Sequence, residues 1–289
     1  MARCGCLAIT SNCPRDRVKH ALKDMTFAEF RERLPENPVI LLPLGSQEEQ
    51  GPHAPMGDYM LAAEIADRVA QKAGAIVAPT LPFGHADFFR CVPGGMQLRA
   101  ATFVAVIEDM VESFLDHRID RVLILNGHSS NAPLIDQALR QVRRRHGVAV
   151  ASIDLWRCIP DSLWRRLYGD DFAAVKGHGA EPMTSVYAHF FPDLMRPDLM
   201  QPSTRGTALG LPMTGPAGIS FQGQGVYLPL NATEVNADGM LGGDPTRASA
   251  ANGRAIVDHL VDFCAGFATH LAASDPRDLF GKDQDTPHG

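Results

Sequence analysis

Short, predominantly apolar runs that alternate with helical patterns constrain the fold of this chain more than any other feature. Residues 39–44, 75–79 and 121–126 are such runs, rich in Val, Ile, Leu and Ala. Continuous apolar runs of this length are typical of strands that are buried on both faces. Strand–helix–strand alternation builds a largely parallel sheet with helices on both sides. The sequence therefore predicts an α/β fold with a mostly parallel central sheet.

Between the predicted strands, apolar side chains recur at helical spacing. Two of the helices have an aspartate at the expected N-cap, Asp58 and Asp244, and a proline follows the second of these. A further strand is predicted at 148–155. The Gly-, Pro- and Asn-rich segment 206–244 is interpreted as an elaborate loop region with room for a hairpin, which folds over a site or meets another subunit. The predicted helices span 59–73, 103–115, 133–144 and 245–272.

Composition and charge exclude two classes of partner. With 45% hydrophobic and 21% charged residues, the 289-residue chain has ample material for a globular core. Its 27 basic and 33 acidic residues give a formal net charge of −6, and no basic stripe with interleaved aromatic residues is present, so no nucleic-acid partner is expected. No apolar stretch approaches the ~20 residues that span a bilayer, and the N-terminus lacks the apolar core of a signal peptide. No membrane partner and a cytoplasmic location are therefore expected.

A single domain is predicted for residues 25–273, with a flexible N-terminal arm at 1–24 and a mobile polar tail at 274–289. The six cysteines are too scattered for a disulfide scaffold in a chain of this length. The cysteines of the arm are interpreted as reduced rather than metal-binding, because no second cluster pairs with them. They are Cys4, Cys6 and Cys13.

The loop that follows the first predicted strand concentrates ionisable side chains in a stiff, glycine- and proline-rich segment. Carboxylates at the mouth of a buried strand resist desolvation, and a divalent cation removes that difficulty. Ligands of α/β folds also collect beyond the carboxyl ends of the strands. The loop therefore predicts a metal site. Its ionisable residues are Glu48, Glu49, His53 and Asp58.

Two more segments combine with this loop. His128 lies in a Gly/Ser turn directly after the strand at 121–126, and His178 and Glu181 lie three residues apart among small residues. Taken singly, each has a structural explanation as a surface charge or a turn histidine. Together they favour one shared site, and oxygen and nitrogen ligands without cysteine suit Zn²⁺ or Mn²⁺.

Several ordered motifs resemble those of the creatininase (creatinine amidohydrolase) family of metal-dependent hydrolases. The loop is similar to the family's Gly-Ser-x-Glu-Gln-His-Gly-Pro-His-x-Pro followed by an aspartate. Three further motifs, Asn-Gly-His-x-x-Asn, His-x-x-Glu-x-x-Thr-Ser and Gly-Asp-Pro-x-x-Ala, follow in order. The resemblance runs from about residue 25 to 270. The matching segments are 45–58, 126–131, 178–185 and 243–248.

The resemblance implies a three-layer α/β/α sandwich with one or two metal ions per subunit, Zn²⁺ or Mn²⁺. It implies hydrolysis of a carbon–nitrogen bond in a small, often cyclic, amide by a metal-activated water. Glu48 and His128 would hold the first metal, and Asp58 would bridge to the second. Glu181 matches the glutamate of the second metal and is a candidate catalytic residue. His178 would be an acid/base or substrate-orienting group, and as an acid it could protonate the leaving nitrogen.

Gln50 occupies the position of a metal-binding histidine of the family motif, and a glutamine carbonyl is a weaker ligand than imidazole. Gln50 and His53 are therefore alternative candidates for the second metal, and Met183 stands where a glutamate often precedes Thr-Ser. Two other functions remain open: a binding protein with a degenerate metal centre, and a lactone or ester hydrolase on the same fold.

The substrate is expected to be a small-molecule amide held beside the metal. Trp156 and Trp164 can wall a pocket, since a flat amide ring stacks on indole, although core packing explains them equally well. The resemblance also implies a homo-oligomer, commonly a hexamer. The predicted substrate contacts are Trp156, Ser129 and Ser130.

Overall fold

The computed structural model describes residues 18–215 and 217–281. Most of the predicted arm, including its three cysteines, and the tail from residue 282 lie outside the described residues. Close to the arm's end, the backbone oxygen of His20 accepts a hydrogen bond from the amide of Val77 at 2.8 Å. Beyond residue 273, Pro276 accepts a hydrogen bond from the amide of Ala149 at 2.9 Å. Both ends of the predicted domain thus continue into segments that contact it.

A four-stranded, wholly parallel sheet forms the centre of the molecule, in the order β2-β1-β3-β4. The two middle strands, β1 and β3, are buried at every position, as continuous apolar runs require. Leu44 pairs with Asn126, and Asn126 pairs with Asp154, so the carboxyl ends of β1, β3 and β4 are level. The predicted α/β fold with a mostly parallel sheet is confirmed. The strands are β1 Ile40–Leu44, β2 Ile76–Val77, β3 Val122–Asn126 and β4 Ala151–Asp154.

Helices cover both faces of this sheet. Leu41 points to one face, where α2, α5, α6 and α8 pack, and its neighbours Ile40 and Leu42 point to the other, where α3 and α4 pack. The sheet and its two helical layers form the predicted three-layer α/β/α sandwich. Among the described residues, no helix combines the length and apolar character needed to cross a bilayer. The helices are α1 Phe27–Arg33, α2 Tyr59–Ala73, α3 Ala100–Leu115, α4 Ala132–His146, α5 Asp161–Tyr168, α6 Met183–Phe190, α7 Ala232–Val235 and α8 Ala250–Ala272.

The segment 206–244 is more regular than the predicted loop region, because it holds a second, antiparallel four-stranded sheet. Met213 and Ile219 are buried in a small apolar cluster with Phe89, whereas β8 is exposed at every residue. Short strands with so few buried side chains leave little apolar alternation in the sequence, which explains why only a hairpin was expected. The strands are β5 Thr207–Ala208, β6 Leu211–Gly215, β7 Gly218–Phe221 and β8 Gln224–Tyr227.

Asp58 occupies the predicted N-cap position of α2, whereas the predicted cap of the last helix at Asp244 was wrong. Asp244 accepts from the amide of Thr246 and caps only a single 3₁₀ turn, after which the chain is extended and α8 begins at Ala250. Ser249 is the actual cap, and its hydroxyl accepts from the amide of Asn252 at 3.1 Å. The Asp58 side chain makes no capping hydrogen bond to α2, because its carboxylate turns toward other polar groups.

Replacing Ser249 by alanine is expected to lower the free energy of unfolding by about 1 kcal/mol, because α8 loses the acceptor for one of its first amides. Urea unfolding followed by circular dichroism measures the change. Thr269→Ala is a suitable control on the same helix, since the Thr269 hydroxyl bonds only a carbonyl within α8. An unchanged midpoint for Ser249→Ala would contradict the assignment of this cap.

Candidate metal centre

Three side chains from separate segments meet at the carboxyl edge of the parallel sheet. Glu48 lies in the loop after β1, Asp58 ends that loop just before α2, and His128 follows β3 directly. Each offers one ligand atom within 4.8 Å of the other two. All three are buried, with exposed fractions of 1%, 1% and 4%. Buried carboxylates and imidazoles that converge in this way are the ligand set of a divalent cation.

The distances within this group fit a coordination shell. Nδ1 of His128 lies 3.1 Å from Oε1 of Glu48 and 2.9 Å from Oδ2 of Asp58. Nitrogen and oxygen ligands about 2.0–2.2 Å from Zn²⁺ in a tetrahedral shell are about 3.3–3.6 Å apart, so these side chains would separate by only a few tenths of an ångström to admit the ion. The remaining oxygen of Glu48, Oε2, is buried without a hydrogen-bond partner. The residues present therefore fit one divalent cation.

Neighbouring amides hold these ligands in place. The backbone amide of Ser46 donates to Oδ1 of Asp58 at 2.7 Å, which leaves Oδ2 for His128. The side-chain amide of Asn126 donates to the backbone oxygen of His128 at 2.7 Å and so fixes the turn after β3. Ligands whose orientation is set in advance bind a metal more tightly than mobile ones.

Burial and mutual charge shift the pKa values of the group. Burial raises the pKa of Asp58 to about 6, although the nearby His128 partly offsets this. Burial alone would lower the pKa of His128, but the carboxylates of Glu48 and Asp58 outweigh it and raise the pKa well above its usual value. Two buried carboxylates thus compete for one imidazole, and a divalent cation would balance their charge.

His178 lies beside this group rather than within it. Its Nε2 is placed to donate to the backbone oxygen of Glu49 at 2.8 Å and also lies 2.8 Å from Oε1 of that residue. Its Nδ1 faces the centre, 4.0 Å from Oε1 of Glu48. Phe89 stacks on the ring at 4.1 Å. Burial lowers the pKa of His178, but Glu49 outweighs it and the net shift is upward.

The other predicted ligands are not part of the three-residue group found among the described residues. Glu181 accepts from the hydroxyl of Ser185 at 2.8 Å, and burial raises its pKa to about 7. Nε2 of His53 lies 3.2 Å from the hydroxyl oxygen of Thr184. Gln50 is 1% exposed, and neither atom of its amide has a hydrogen-bond partner.

A cleft of about 290 Å³ opens onto the three ligands. The three predicted substrate contacts all line it: Trp156, whose indole N–H donates to the backbone oxygen of Gly127, and Ser129 and Ser130. Trp164 is 3% exposed and stacks with Phe172, so its main role is packing. Five residues that line the cleft were not indicated by the sequence, because they come from distant segments and carry no local motif. They are Phe88, Phe89, Arg205, Thr214 and Leu241.

A mostly parallel sheet with a buried Glu–Asp–His group at its carboxyl edge defines an α/β protein with a candidate metal site. The family model of creatininase, described as creatinine amidohydrolase, matches residues 23–267. The chain therefore belongs to the creatininase family, and the motif resemblance in the sequence is confirmed.

Three curated relatives differ in what they act on. Creatinine amidohydrolase of Pseudomonas putida is 28% identical over 187 residues, which cover 60% of this chain and 72% of that protein. The 3-dehydro-scyllo-inosose hydrolase of Thermotoga maritima is 28% identical over 59% of this chain and 56% of its own length. The mycofactocin precursor peptide peptidase of Mycolicibacterium smegmatis is 27% identical over 79% of this chain and 83% of its own length. All three names are those of hydrolases.

Solved structures agree with the fold. A crystal structure of creatinine amidohydrolase superimposes with a TM-score of 0.74 at 25% identity and covers 89% of this chain and 99% of that chain. A creatininase structure described as the Mn form has a TM-score of 0.73 at 25% identity and covers 88% of this chain and 98% of that chain. Together with the buried ligands of this chain, these comparisons support a hydrolase that uses a divalent metal.

Proposed function

We propose that this chain is a divalent-metal-dependent amidohydrolase that cleaves a carbon–nitrogen bond of a small amide. The observation that carries the proposal is the convergence of Glu48, Asp58 and His128 at a cleft that also presents His178. Three protein ligands with a free coordination position are the arrangement of catalytic zinc sites. Zn²⁺ or Mn²⁺ suits this nitrogen and oxygen ligand set.

The roles of the residues follow from their positions. Glu48, Asp58 and His128 would hold the cation, which when bound lowers the pKa of a water molecule and polarises a substrate carbonyl. His178 presents Nδ1 to the same cleft, so its protonated imidazole can deliver a proton to the leaving nitrogen of the substrate. Glu49 contacts Nε2 of this imidazole and Phe89 stacks on its ring, so the two residues keep it in place.

Trp156 forms an aromatic wall for a planar amide.

The cleft and the relatives favour a small amide as the substrate. A cleft of about 290 Å³ is at the small end of ligand pockets. One relative is named for creatinine and another for a precursor peptide, and both substrates contain hydrolysable carbon–nitrogen bonds. Cyclic amides and short peptides are therefore the two substrate groups to compare first.

Removal of the metal is expected to abolish hydrolysis, and Zn²⁺ or Mn²⁺ is expected to restore it. The protein is dialysed against a chelator, reloaded, and assayed by mass spectrometry on a panel that contains creatinine, other small cyclic amides, short peptides, and lactones of matching size. Binding of the amides by the metal-loaded protein without turnover would contradict the proposal and favour a binding protein. Turnover of the lactones alone would contradict it in favour of an ester-type hydrolase.

A further inference from the structure

The second metal implied by the family resemblance does not fit the residues of this chain. We infer that the centre holds a single divalent cation, and that Gln50 is the residue that keeps the second position empty. The inference rests on the proposed metal site, but it concerns the number of ions and not the reaction.

The ligand count is complete for one ion only. Among the residues that the structure describes, one group of three or more His, Cys, Asp or Glu side chains converges, and its members are Glu48, Asp58 and His128. Three protein ligands leave a position for water in a catalytic site with one metal. A second ion would have to share one of these ligands and find further ligands nearby.

The other candidate ligands lie outside the converging group, and each already contacts a protein partner through at least one atom. The carboxylate of Glu49 accepts from the amide of Gly51 at 2.6 Å through Oε2 and contacts Nε2 of His178 at 2.8 Å through Oε1. Both groups would have to give up this pairing to bind a metal. His53 and Glu181 are each bonded through one atom, to the hydroxyl groups of Thr184 and Ser185 respectively. Nδ1 of His53 and Oε2 of Glu181 have no hydrogen-bond partner, but neither side chain converges with the three ligands.

Gln50 stands at the position of the family's metal-binding histidine, and its side chain is neutral. Its amide is buried and has no hydrogen-bond partner, so a carbonyl oxygen is all that it offers to a cation. A carbonyl oxygen suits Mg²⁺ or Ca²⁺ better than Zn²⁺, which prefers the imidazole expected at this position of the family motif.

Charge supports the same conclusion. The carboxylates of Glu48 and Asp58 balance one divalent cation, and the contact between Glu49 and His178 pairs opposite charges when that imidazole is protonated. A second divalent ion would have to draw on Glu49, which contacts His178, or on Glu181, which accepts from Ser185, and neither carboxylate converges with the three ligands. Uncompensated buried charge is strongly unfavourable.

Metal titration of the full chain tests this inference without any substrate. The protein is stripped with a chelator, titrated with Zn²⁺ in a calorimeter, and analysed for bound zinc after equilibrium dialysis. One equivalent per chain is expected. A parallel sample loaded with Mn²⁺ should give the electron paramagnetic resonance spectrum of an isolated ion, because ions about 3.5–4 Å apart, as in two-metal sites, would be magnetically coupled. Two equivalents with a coupled spectrum would overturn the inference.

Two substitutions test the part played by Gln50. Gln50→His should add a second equivalent of Zn²⁺, whereas Gln50→Met, which is similar in length but lacks the amide, should still bind one equivalent with affinity changed less than about threefold. Circular dichroism confirms that both variants fold. A loss of bound zinc in Gln50→Met would identify Gln50 as a ligand of the first ion and would overturn its role in excluding the second. A Gln50→His protein that still binds one equivalent of Zn²⁺ would also overturn that role.

These results separate the inference from the proposed function. A single bound ion together with no hydrolysis of any amide would leave the single-metal centre standing and remove the amidohydrolase. Hydrolysis of an amide with two bound ions would leave the amidohydrolase standing and remove the single-metal centre. If the wild-type chain binds no Zn²⁺ or Mn²⁺, both are overturned.

Discussion

Replacing His128 by glutamine is expected to lower the affinity for Zn²⁺ by more than about 100-fold and to abolish hydrolysis. Loss of a group that merely supports a ligand costs roughly 10–100-fold in metal affinity, so loss of a ligand itself should cost more. Glutamine is chosen over alanine because its amide can still donate to Glu48 and Asp58. Removing one partner of a buried ion pair outright destabilises a protein by about 3–5 kcal/mol. Calorimetric titration of the chelator-stripped variant measures the change in affinity.

His259→Gln is the matched control for this experiment. His259 lies on α8, where its Nε2 is 2.9 Å from the backbone oxygen of Cys158, and it does not line the cleft. The control should bind Zn²⁺ with wild-type affinity and retain activity. If the His128 variant binds one equivalent as tightly as the control does, His128 is not a ligand.

The parallel half of the fold could be predicted from the sequence because buried strands leave a continuous apolar signal. Residues 39–44 and 121–126 indicated β1 and β3, and the structure pairs these strands in register along their whole length. Helix α2 was predicted with its observed bounds, 59–73, since its apolar residues recur with helical spacing. The antiparallel sheet from Thr207 to Tyr227 could not be predicted to the same degree, because its short strands bury few side chains.

The core of the candidate site could also be anticipated, because loops that follow neighbouring parallel strands must meet at one edge of the sheet. This rule brings Glu48 and His128 together, and the structure places Asp58 with them. The rule cannot place Glu181, which lies just before α6 and whose hydrogen bond to Ser185 depends on the packing of that helix. Nor can it indicate Phe89, whose ring stacks on His178 across a long stretch of sequence.

The side chain of Asp58 shows how the site overrides local preference. An aspartate directly before a helix is normally interpreted as an N-cap. Here its two oxygens face the amide of Ser46 and the imidazole of His128, so none is left for the first amides of α2. A residue that breaks a local rule in this way is typical of a functional site.

Replacing His178 by asparagine is expected to lower kcat by about 100- to 10,000-fold, the usual contribution of general acid–base catalysis. The number of bound metal ions should not change, because His178 lies beside the three ligands and its Nδ1 is 4.0 Å from the nearest oxygen of Glu48. Steady-state kinetics on the best amide of the panel, together with zinc analysis of the same sample, measure both quantities. His189→Asn on α6 is the control, since His189 does not line the cleft.

A change of leaving group distinguishes proton transfer from a merely structural role of His178. An amide that releases an amine needs a proton on the leaving nitrogen, whereas an activated ester such as a nitrophenyl ester releases a phenolate that needs far less help from an acid. The His178→Asn variant should therefore lose much less activity on the activated substrate, about tenfold or less, if the imidazole mainly acts as the acid. An equal loss on both substrates would show that His178 shapes the cleft or assists the attacking water, and that the leaving nitrogen takes its proton from another group.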